Sequence, residues 1–337
     1  MHIEAFSESR APTQPELNED ALVVLPGRAY AVIDGVSDRD GTRYDGMLAG
    51  RYAAQLVAGT LERLCAGGAV PPEAETVVPR LTETIQLAYH QFGRVEAARQ
   101  DWGGRLCCTL ALALVDARQV RLVLVGDSGV RVNGTDILQM TKDLDRITAT
   151  LRSHAWHRAA ARGADPVVRD QVARQVTWHG TAQDPAPLAP LLGAADLAEI
   201  GAAAAAECTE ALPHVPRADM LHLLRHGIVA GQGVFQNSTD TVLGYGCLDG
   251  FEVPRTLMRI ATMDRGSVRT LELFTDGYFR PGAGFGIAAW EAAFAQVEAE
   301  DPAKVGVHRS TKGSIPGTGS AAGRWADDRT YVGVKLR

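Results

Sequence analysis

Residues 20–36 read DALVVLPGRAYAVIDGV, and this stretch decides the fold. Two apolar runs, Ala21 to Leu25 and Tyr30 to Ile33, are separated by Pro26 and Gly27, a pair typical of turns. The stretch therefore predicts a β-hairpin that is flanked by an aspartate on either side. The two aspartates are Asp20 and Asp34.

The rest of the amino-terminal half continues this mixture of strands and helices. Branched residues predict a second hairpin from Leu106 to Val115 and Val120 to Val125, with a short strand at Gly129 to Val132 directly after it. Apolar residues at helical spacing predict helices at Met47 to Leu64 and at Thr76 to Ala98. Both helices are expected to pack on a sheet.

Strands return towards the carboxyl end. The pattern predicts them at Thr256 to Thr262, Val268 to Phe274 and Thr330 to Leu336, with a helix at Ala288 to Glu298. Gly306 to Gly323 is rich in Gly, Ser and Thr, which predicts a surface loop.

The middle of the chain, from Leu144 to about Thr239, has a different character. It is rich in alanine, the best helix former, and helical patterns cover Arg146 to Arg162 and Ala194 to Leu212. We predict one domain over residues 1–337 that contains a mostly helical insertion at about 144–239.

Composition narrows the class of protein. Of 337 residues, 46% are hydrophobic and 22% are charged, which is ordinary globular usage and enough for a sizeable core. The net charge of -6 gives no general attraction to nucleic acid or to anionic lipid. No apolar stretch approaches the ~20 residues needed to cross a bilayer, so no membrane partner is expected.

The expected location is the cytoplasm. Met1 to Glu8 lacks the basic and apolar segments of a secretory signal. The cysteines show no CxxC spacing, so neither a disulfide framework nor a zinc knuckle is indicated. There are five of them, Cys65, Cys107, Cys108, Cys208 and Cys247.

Five aspartates stand at or beside the ends of predicted strands. A carboxylate in such a position is costly unless it is neutralised, and Mg²⁺ and Mn²⁺ prefer oxygen ligands. A single Asp-Gly pair is more often only a turn, but five converging positions indicate a site for a divalent metal ion. The five are Asp20, Asp34, Asp127, Asp276 and Asp327.

Seven short motifs carry these acids and their neighbours in a fixed order. They are Asn18-Glu19-Asp20-Ala21, Ala31 to Val36, Gly104 to Leu110, Val125-Gly126-Asp127-Ser128, Gln139 to Asp143, Leu273 to Gly277 and Asp327-Asp328-Arg329-Thr330. Their order resembles the PP2C family of metal-dependent serine/threonine phosphatases over nearly the whole chain outside the insertion. The resemblance implies an α+β fold, a four-layer α-β-β-α sandwich of two antiparallel sheets flanked by helices.

The resemblance also implies roles for the acids. Asp34 would bridge two Mg²⁺ or Mn²⁺ ions, with the Gly35 carbonyl on one ion, and Asp276 and Asp327 on the other. Asp20 would hold metal-bound water. Asp127 would be a ligand of a third, weaker ion, which it would not retain tightly alone because Arg280 stands where a further acid is common. A bridging water would then attack the phosphorus of a phosphoserine or phosphothreonine in a phosphoprotein substrate.

Two departures from the family pattern concern the binding of phosphate. The arginine usual before the first acidic motif is missing, since Gln14 to Leu17 stands there, and Arg10 is a poor replacement. Arg280 lies four residues after Asp276, where an acid is common. We predict that Arg280 supplies the missing phosphate contact, although an ordinary surface arginine is the simpler reading. Asp143 has an equally simple reading as a helix cap.

Three other functions compete with this one. Gly126-Asp127-Ser128-Gly129 imitates the nucleophile motif of trypsin-like proteases, but no Ala-His-Cys segment accompanies it. No phosphate-binding glycine motif follows a strand, which argues against nucleotide binding. The serious alternative is a PP2C-like regulatory module with weak or no catalysis, for which the helical insertion would offer a surface to a partner protein.

Overall fold

The computed structural model describes residues 1–39, 41–67, 72–314 and 324–336. The chain forms two compact parts, each assembled from separate segments. The strand-rich part consists of Met1–Thr141, Tyr245–Ala295 and Asp328–Arg337. The helical part consists of Lys142–Gly244 and Gln296–Asp327. No helix in the described ranges is long and apolar enough to span a membrane.

The strands all belong to the strand-rich part, and neighbouring strands pair antiparallel. They are β1 (His2–Glu8), β2 (Asp20–Leu25), β3 (Ala29–Gly35), β4 (Arg43–Tyr44), β5 (Met47–Leu48), β6 (Cys108–Val115), β7 (Gln119–Val125), β8 (Gly129–Val132), β9 (Asp136–Leu138), β10 (Met258–Asp264), β11 (Thr270–Phe274) and β12 (Arg329–Lys335).

Two five-stranded sheets form the centre of this part. The first sheet has the order β10-β7-β6-β3-β2, and the second has the order β1-β12-β11-β8-β9. Buried side chains from the facing sides, such as Val32, Leu122 and Val332, fill the space between the sheets. Residues on adjacent positions of the same strands, such as Ile33 and Val123, face the helices instead, as the two-residue period of a strand requires.

Helices cover the outer faces of both sheets. Helices α1 (Ala49–Ala66) and α2 (Ala74–Gln91) pack on the first sheet through residues such as Leu61 and Leu81. On the second sheet, Trp290 of α8 (Ile287–Glu300) donates a hydrogen bond from Nε1 to Glu272 of β11 at 2.8 Å. The predicted α+β fold, with two antiparallel sheets flanked by helices, is confirmed.

The hairpin predicted from residues 20–36 is β2 and β3. Asp20 pairs with Asp34 across the two strands, and the register continues to Leu25 opposite Ala29. Gly27 has φ of 75°, a conformation that side chains rarely adopt, and so the turn uses the residue best suited to it. The hairpin brings both aspartates to the same end of the first sheet.

One predicted helix is wrong in extent. The stretch from Thr76 to Ala98 contains two helices, α2 and α3 (Val95–Gln100). Gly93, with φ of 63°, separates them, and the Arg94 amide donates to the Tyr89 carbonyl at 2.8 Å. A left-handed glycine with this bond is a common helix ending.

Strand β1 was not among the sequence predictions, because polar residues lie on both of its faces.

Within the residues that the structure describes, the helical part contains four further α-helices. They are α4 (Asp143–Ala161), α5 (Pro166–His179), α6 (Ala194–Ala211) and α7 (Arg217–Gly231). Buried Arg152 of α4 holds α5 through Asp170 at 2.6 Å and also donates to the Ala303 carbonyl at 2.6 Å. The predicted loop from Gly306 to Gly323 lies partly outside the described residues.

Helix α7 is kinked at Gly227, where φ is 62°. The kink leaves carbonyls without their helical partners, and the segment after α5 replaces those partners. The Thr181 amide donates to the Leu224 carbonyl and the Ala182 amide donates to the Arg225 carbonyl, both at 3.0 Å. The helix therefore changes direction without leaving these two carbonyl acceptors unbonded.

A disulfide joins Cys107 to Cys247, two cysteines that are 140 positions apart in the sequence. The expectation that no disulfide framework exists was based on local spacing, and it is wrong for this pair. Local spacing carries no information about a contact of this sequence separation, which depends on the sheet topology. Cys65, Cys108 and Cys208 are free and buried.

Candidate metal centre

Three carboxylates converge at one end of the strand-rich part. Asp34 is the last residue but one of β3, Asp127 follows β7, and Asp276 follows β11, so the first sheet supplies two acids and the second supplies one. One ligand oxygen from each side chain lies within 4.8 Å of the others. Asp127 is buried, and the other two are half-buried. Three like charges this close favour a bound cation that neutralises them.

Asp20 lies beside this cluster because it pairs with Asp34 in the β2–β3 register. Its Oδ2 accepts a hydrogen bond from Thr275 Oγ1 at 2.9 Å. The Thr330 amide in turn donates to Thr275 Oγ1 at 2.9 Å. The aspartate is thus oriented by a threonine that the second sheet holds in place, next to Asp276.

Small residues let the loops of the site approach closely. A Cβ atom on Gly35 would lie 2.3 Å from the Gly50 carbonyl oxygen, a backbone atom that has no side-chain freedom to move away. Gly126, with φ of 78°, would place a Cβ atom 2.6 Å from Thr109 Cγ2. Both glycines are therefore required by packing, and Gly126 is also required by its left-handed backbone conformation.

Asp328 ties the start of β2 to the segment after β1. Its Oδ1 accepts from the Arg10 amide at 2.6 Å, and its Oδ2 accepts from the Glu19 amide at 3.0 Å. Of the two adjacent acids, Asp327 and Asp328, only the first was a predicted ligand. The second has a structural role that fixes the backbone on which Asp20 stands.

Arg10 lies beside the segments that carry Asp20 and Asp34. Its guanidinium donates to Glu19 Oε2 and to Ser37 Oγ, both at 3.2 Å. Ser37 Oγ also donates to Glu19 Oε2 at 2.6 Å. Since Glu19 precedes Asp20 and Ser37 follows Asp34 by three residues, Arg10 contacts both segments that carry the acids. Arg10 reaches them by folding back from the end of β1, a strand that the sequence pattern did not indicate.

Asp327 and Asp143 are engaged within the helical part. Both carboxylate oxygens of Asp327 accept from Lys312 Nζ, at 2.8 and 2.7 Å. Asp143 lies in the first turn of α4, where His214 Nε2 is 2.7 Å from its Oδ2. The N-cap of α4 is Lys142, so Asp143 is the first residue of the helix rather than the predicted cap. An acid in this first turn is favourable for the helix dipole.

Arg280 is half-buried in the loop that follows β11, four residues after Asp276. Its part in phosphate binding stays a prediction.

The free thiol of Cys108 belongs to β6, where this residue pairs with Gly35 of β3. Burial raises the pKa of this thiol well above its ordinary value, and the charge of Asp34 raises it further. Cys108 therefore stays protonated and is unsuited to act as a nucleophile or as a metal ligand.

The donor set fits a hard divalent cation. Asp34, Asp127 and Asp276 offer only oxygen ligands, and no histidine or cysteine belongs to the same group within the described residues. Magnesium and manganese ions bind such carboxylates and retain water molecules for their remaining positions.

No protein-family model and no curated protein sequence matches the chain. Among solved structures, it is similar to the serine/threonine phosphatase PstP/Ppp of Mycobacterium tuberculosis, at 17% identity over 100% of this chain and 98% of that chain, with a TM-score of 0.43. It is also similar to the serine/threonine phosphatase Stp1 from Staphylococcus aureus, at 14% identity over 100% and 95%, with a TM-score of 0.43.

A third similar structure is the catalytic domain of the phosphatase PstP in complex with two manganese ions. The identity is 15% over 98% of this chain and 96% of that chain, and the TM-score is 0.42. The likeness to all three structures is in the fold, at low sequence identity.

Proposed function

We propose that this chain is a metal-dependent phosphatase of the PP2C type, which hydrolyses phosphoserine or phosphothreonine in proteins. The observation that carries the proposal is the convergence of Asp34, Asp127 and Asp276, with ligand oxygens within 4.8 Å of one another at the ends of strands from both sheets. The motif order seen in the sequence supports the same function.

The protein supplies positions and charges for this chemistry. Asp34 and Asp276 would hold two divalent cations, and the Gly35 carbonyl and Asp327 complete the ligand set that the sequence resemblance implies. Bound cations of this class lower the pKa of water and neutralise phosphoryl oxygens. Asp20, which accepts a hydrogen bond from Thr275, would hold water bound at the centre. Asp127 would serve a further, weaker ion.

The finer details of the proposal come from the sequence. We propose Mg²⁺ or Mn²⁺ as the two ions, since both suit carboxylate oxygens. Arg280 is proposed to bind the substrate phosphate, because a guanidinium offers paired donors to a phosphate group. A cytoplasmic location and a role in signalling by dephosphorylation complete the proposal.

Calorimetry and kinetics on the variant Asp34→Asn test the proposed metal-dependent phosphatase activity. The wild-type chain should bind about two Mn²⁺ ions and hydrolyse a small aryl phosphate only when Mn²⁺ is present. Asp34→Asn should abolish both properties, with Asp219→Asn, an acid of the helical part, as the matched control. Undiminished Mn²⁺ binding in Asp34→Asn would contradict the assignment of the centre.

A second candidate function is a regulatory module that binds a partner protein. A groove of about 350 Å³ runs between α6 and α7, with Ala198 and Ala202 on one side and Arg217, Leu221 and Arg225 on the other. Neither arginine has an ion-pair partner within the described part of the chain. This charge suits an acidic peptide segment of a partner protein.

Binding of a fluorescent acidic helical peptide separates this second function from the first. Arg217→Glu together with Arg225→Glu should abolish the binding, and phosphatase activity should be unaffected. A wild-type chain that binds Mn²⁺ but hydrolyses no phosphomonoester would favour the regulatory module over the enzyme.

A further inference from the structure

Helix α7 carries two histidines one turn apart, His222 and His226. This i, i+4 spacing places two side chains on the same face of a helix. Their ring centroids are 4.9 Å apart and their planes are inclined by 48°. The same spacing of two histidines on a helix is a known arrangement for binding a transition metal ion.

The surroundings of the pair leave a ring nitrogen without a protein partner. His222 Nε2 is buried and has no hydrogen-bond partner in the described structure. Phe235 packs edge-on against the same ring at 6.0 Å and offers no hydrogen-bond acceptor. Four other histidines pair with carboxylates, whereas neither His222 nor His226 has such a pair within the described ranges. A buried nitrogen without a partner is unfavourable unless a water or an ion satisfies it.

We propose that His222 and His226 form a binding site for a transition metal ion of the Zn²⁺ class. Imidazole nitrogen is a good ligand for Zn²⁺, Ni²⁺ and Cu²⁺, whereas Mg²⁺ and Mn²⁺ favour oxygen. In a tetrahedral site the two nitrogens lie roughly 3.3 Å apart, given Zn–N bonds of about 2.05 Å. Ring centroids 4.9 Å apart are compatible with this separation of the two nitrogens, because each nitrogen lies off its ring centroid.

The site has two protein ligands. Asp219 lies one turn before His222 on the same helix, but its Oδ2 already accepts a hydrogen bond from Thr241 Oγ1. No third acid, histidine or cysteine joins the pair in the described structure. The remaining positions on the ion are filled by water or by a ligand group, so the ion is exchangeable rather than permanently held.

The position of the pair gives the ion a structural effect. His226 directly precedes Gly227, where α7 kinks. An ion shared by His222 and His226 fixes the helical turn that enters the kink. Because it binds the folded chain and not the unfolded one, it raises the melting temperature of the helical part by several degrees at saturation.

Zinc titration of the full-length chain tests the proposal. The Asp34→Asn background weakens the carboxylate centre, so that the remaining zinc site is observed by calorimetry. In this background one Zn²⁺ ion should bind, and His226→Gln should weaken it at least tenfold. His179→Gln, which changes an exposed histidine at the end of α5, is the matched control and should leave the affinity unchanged.

A second readout does not depend on the carboxylate centre. In the same background, Zn²⁺ should raise the melting temperature of the parent chain and of His179→Gln, but not of His226→Gln or His222→Gln. Using both single variants keeps the test valid if one of them folds poorly. Absence of zinc binding in the parent, or equal zinc affinity and equal thermal shift in the histidine variants, would overturn the proposal.

Discussion

The strand-rich part and the helical part present metal ligands of different chemistry. In the strand-rich part, Asp34, Asp127 and Asp276 come from three separate strand ends and offer hard oxygen. In the helical part, His222 and His226 come from one turn of one helix and offer nitrogen. The positions of the three aspartates depend on how the strands of the two sheets are arranged. The positions of the two histidines depend mainly on the conformation of a single helical turn. The two sites should therefore respond to different metals and to different substitutions.

Substitution of one acid of the carboxylate centre should separate the two sites most strongly. Asp276→Asn removes one of the three converging carboxylates, and we expect kcat/KM on an aryl phosphate to fall on the order of 10³-fold, about 4 kcal/mol of transition-state stabilisation. Zinc binding by the histidine pair should be unaffected. Steady-state kinetics at saturating Mn²⁺ measure the first effect and calorimetry the second. A loss of both would show that Asp276 acts through folding.

Removal of the disulfide should weaken the strand-rich part. Cys107→Ser with Cys247→Ser opens a link between positions 140 residues apart, which should cost about 2–4 kcal/mol of the free energy of unfolding. Denaturant unfolding with and without a thiol reductant measures this change in the free energy of unfolding. The reductant should destabilise the wild type and have no effect on the double variant. Equal sensitivity in both proteins would contradict a stabilising disulfide.

Two arginines compete for the role of phosphate binder. If Arg280 binds the phosphate, Arg280→Ala should lower kcat/KM by about 10-fold to 100-fold, an effect of about 1.5–3 kcal/mol for a charged hydrogen bond. Mn²⁺ affinity should hardly fall. Exposed Arg269, which precedes β11, is the matched control. Unchanged kinetics in Arg280→Ala, with a loss in Arg10→Ala, would transfer the role to the cluster around Glu19.

The smallest effect is expected at the start of α6. The Gly193 amide and the guanidinium groups of Arg162 and Arg158 hold the pKa of Asp196 well below its ordinary value. The stabilisation is complete above about pH 4, the ordinary value for an aspartate, and is lost as the pH falls through the lowered pKa. Asp196→Asn should cost roughly 1 kcal/mol at pH 7 and make the unfolding free energy less dependent on pH between 4 and 2. An unchanged acid dependence would exclude Asp196 as its source.

Sequence alone predicted the sheets well, because the β2–β3 and β6–β7 hairpins combine apolar runs with clear turn residues. The predicted strand ends also identified the candidate metal ligands, because the aspartates stand at or beside those ends. Asp34, Asp127 and Asp276, three of the predicted ligands, are brought together in the structure.

The features that the sequence did not predict depend on contacts between residues far apart in the sequence, or on buried atoms that lack a hydrogen-bond partner. Nothing local links Cys107 to Cys247, and nothing local brings Arg10 to Glu19 and Ser37. The histidine pair has a helical spacing that can be recognised in the sequence. The inference of a metal site also depends on the buried nitrogen of His222, and its burial is known only from the structure. The placement of Arg280 relative to a phosphate stays a prediction.

Strand β12 has a consequence for the order of events during synthesis on the ribosome. It is formed by residues 329–335, yet it lies between β1 and β11 rather than at an edge, and His2 pairs with Lys335. A nascent chain shorter than about 335 residues therefore cannot close the second sheet, whereas α4 to α7 can already make their mutual contacts. Until then β1 and β11 expose unpaired backbone edges, which are prone to pair with other chains. The emerging chain is thus most exposed to aggregation, and most dependent on chaperones, in the period before residues 329–335 are available to pair.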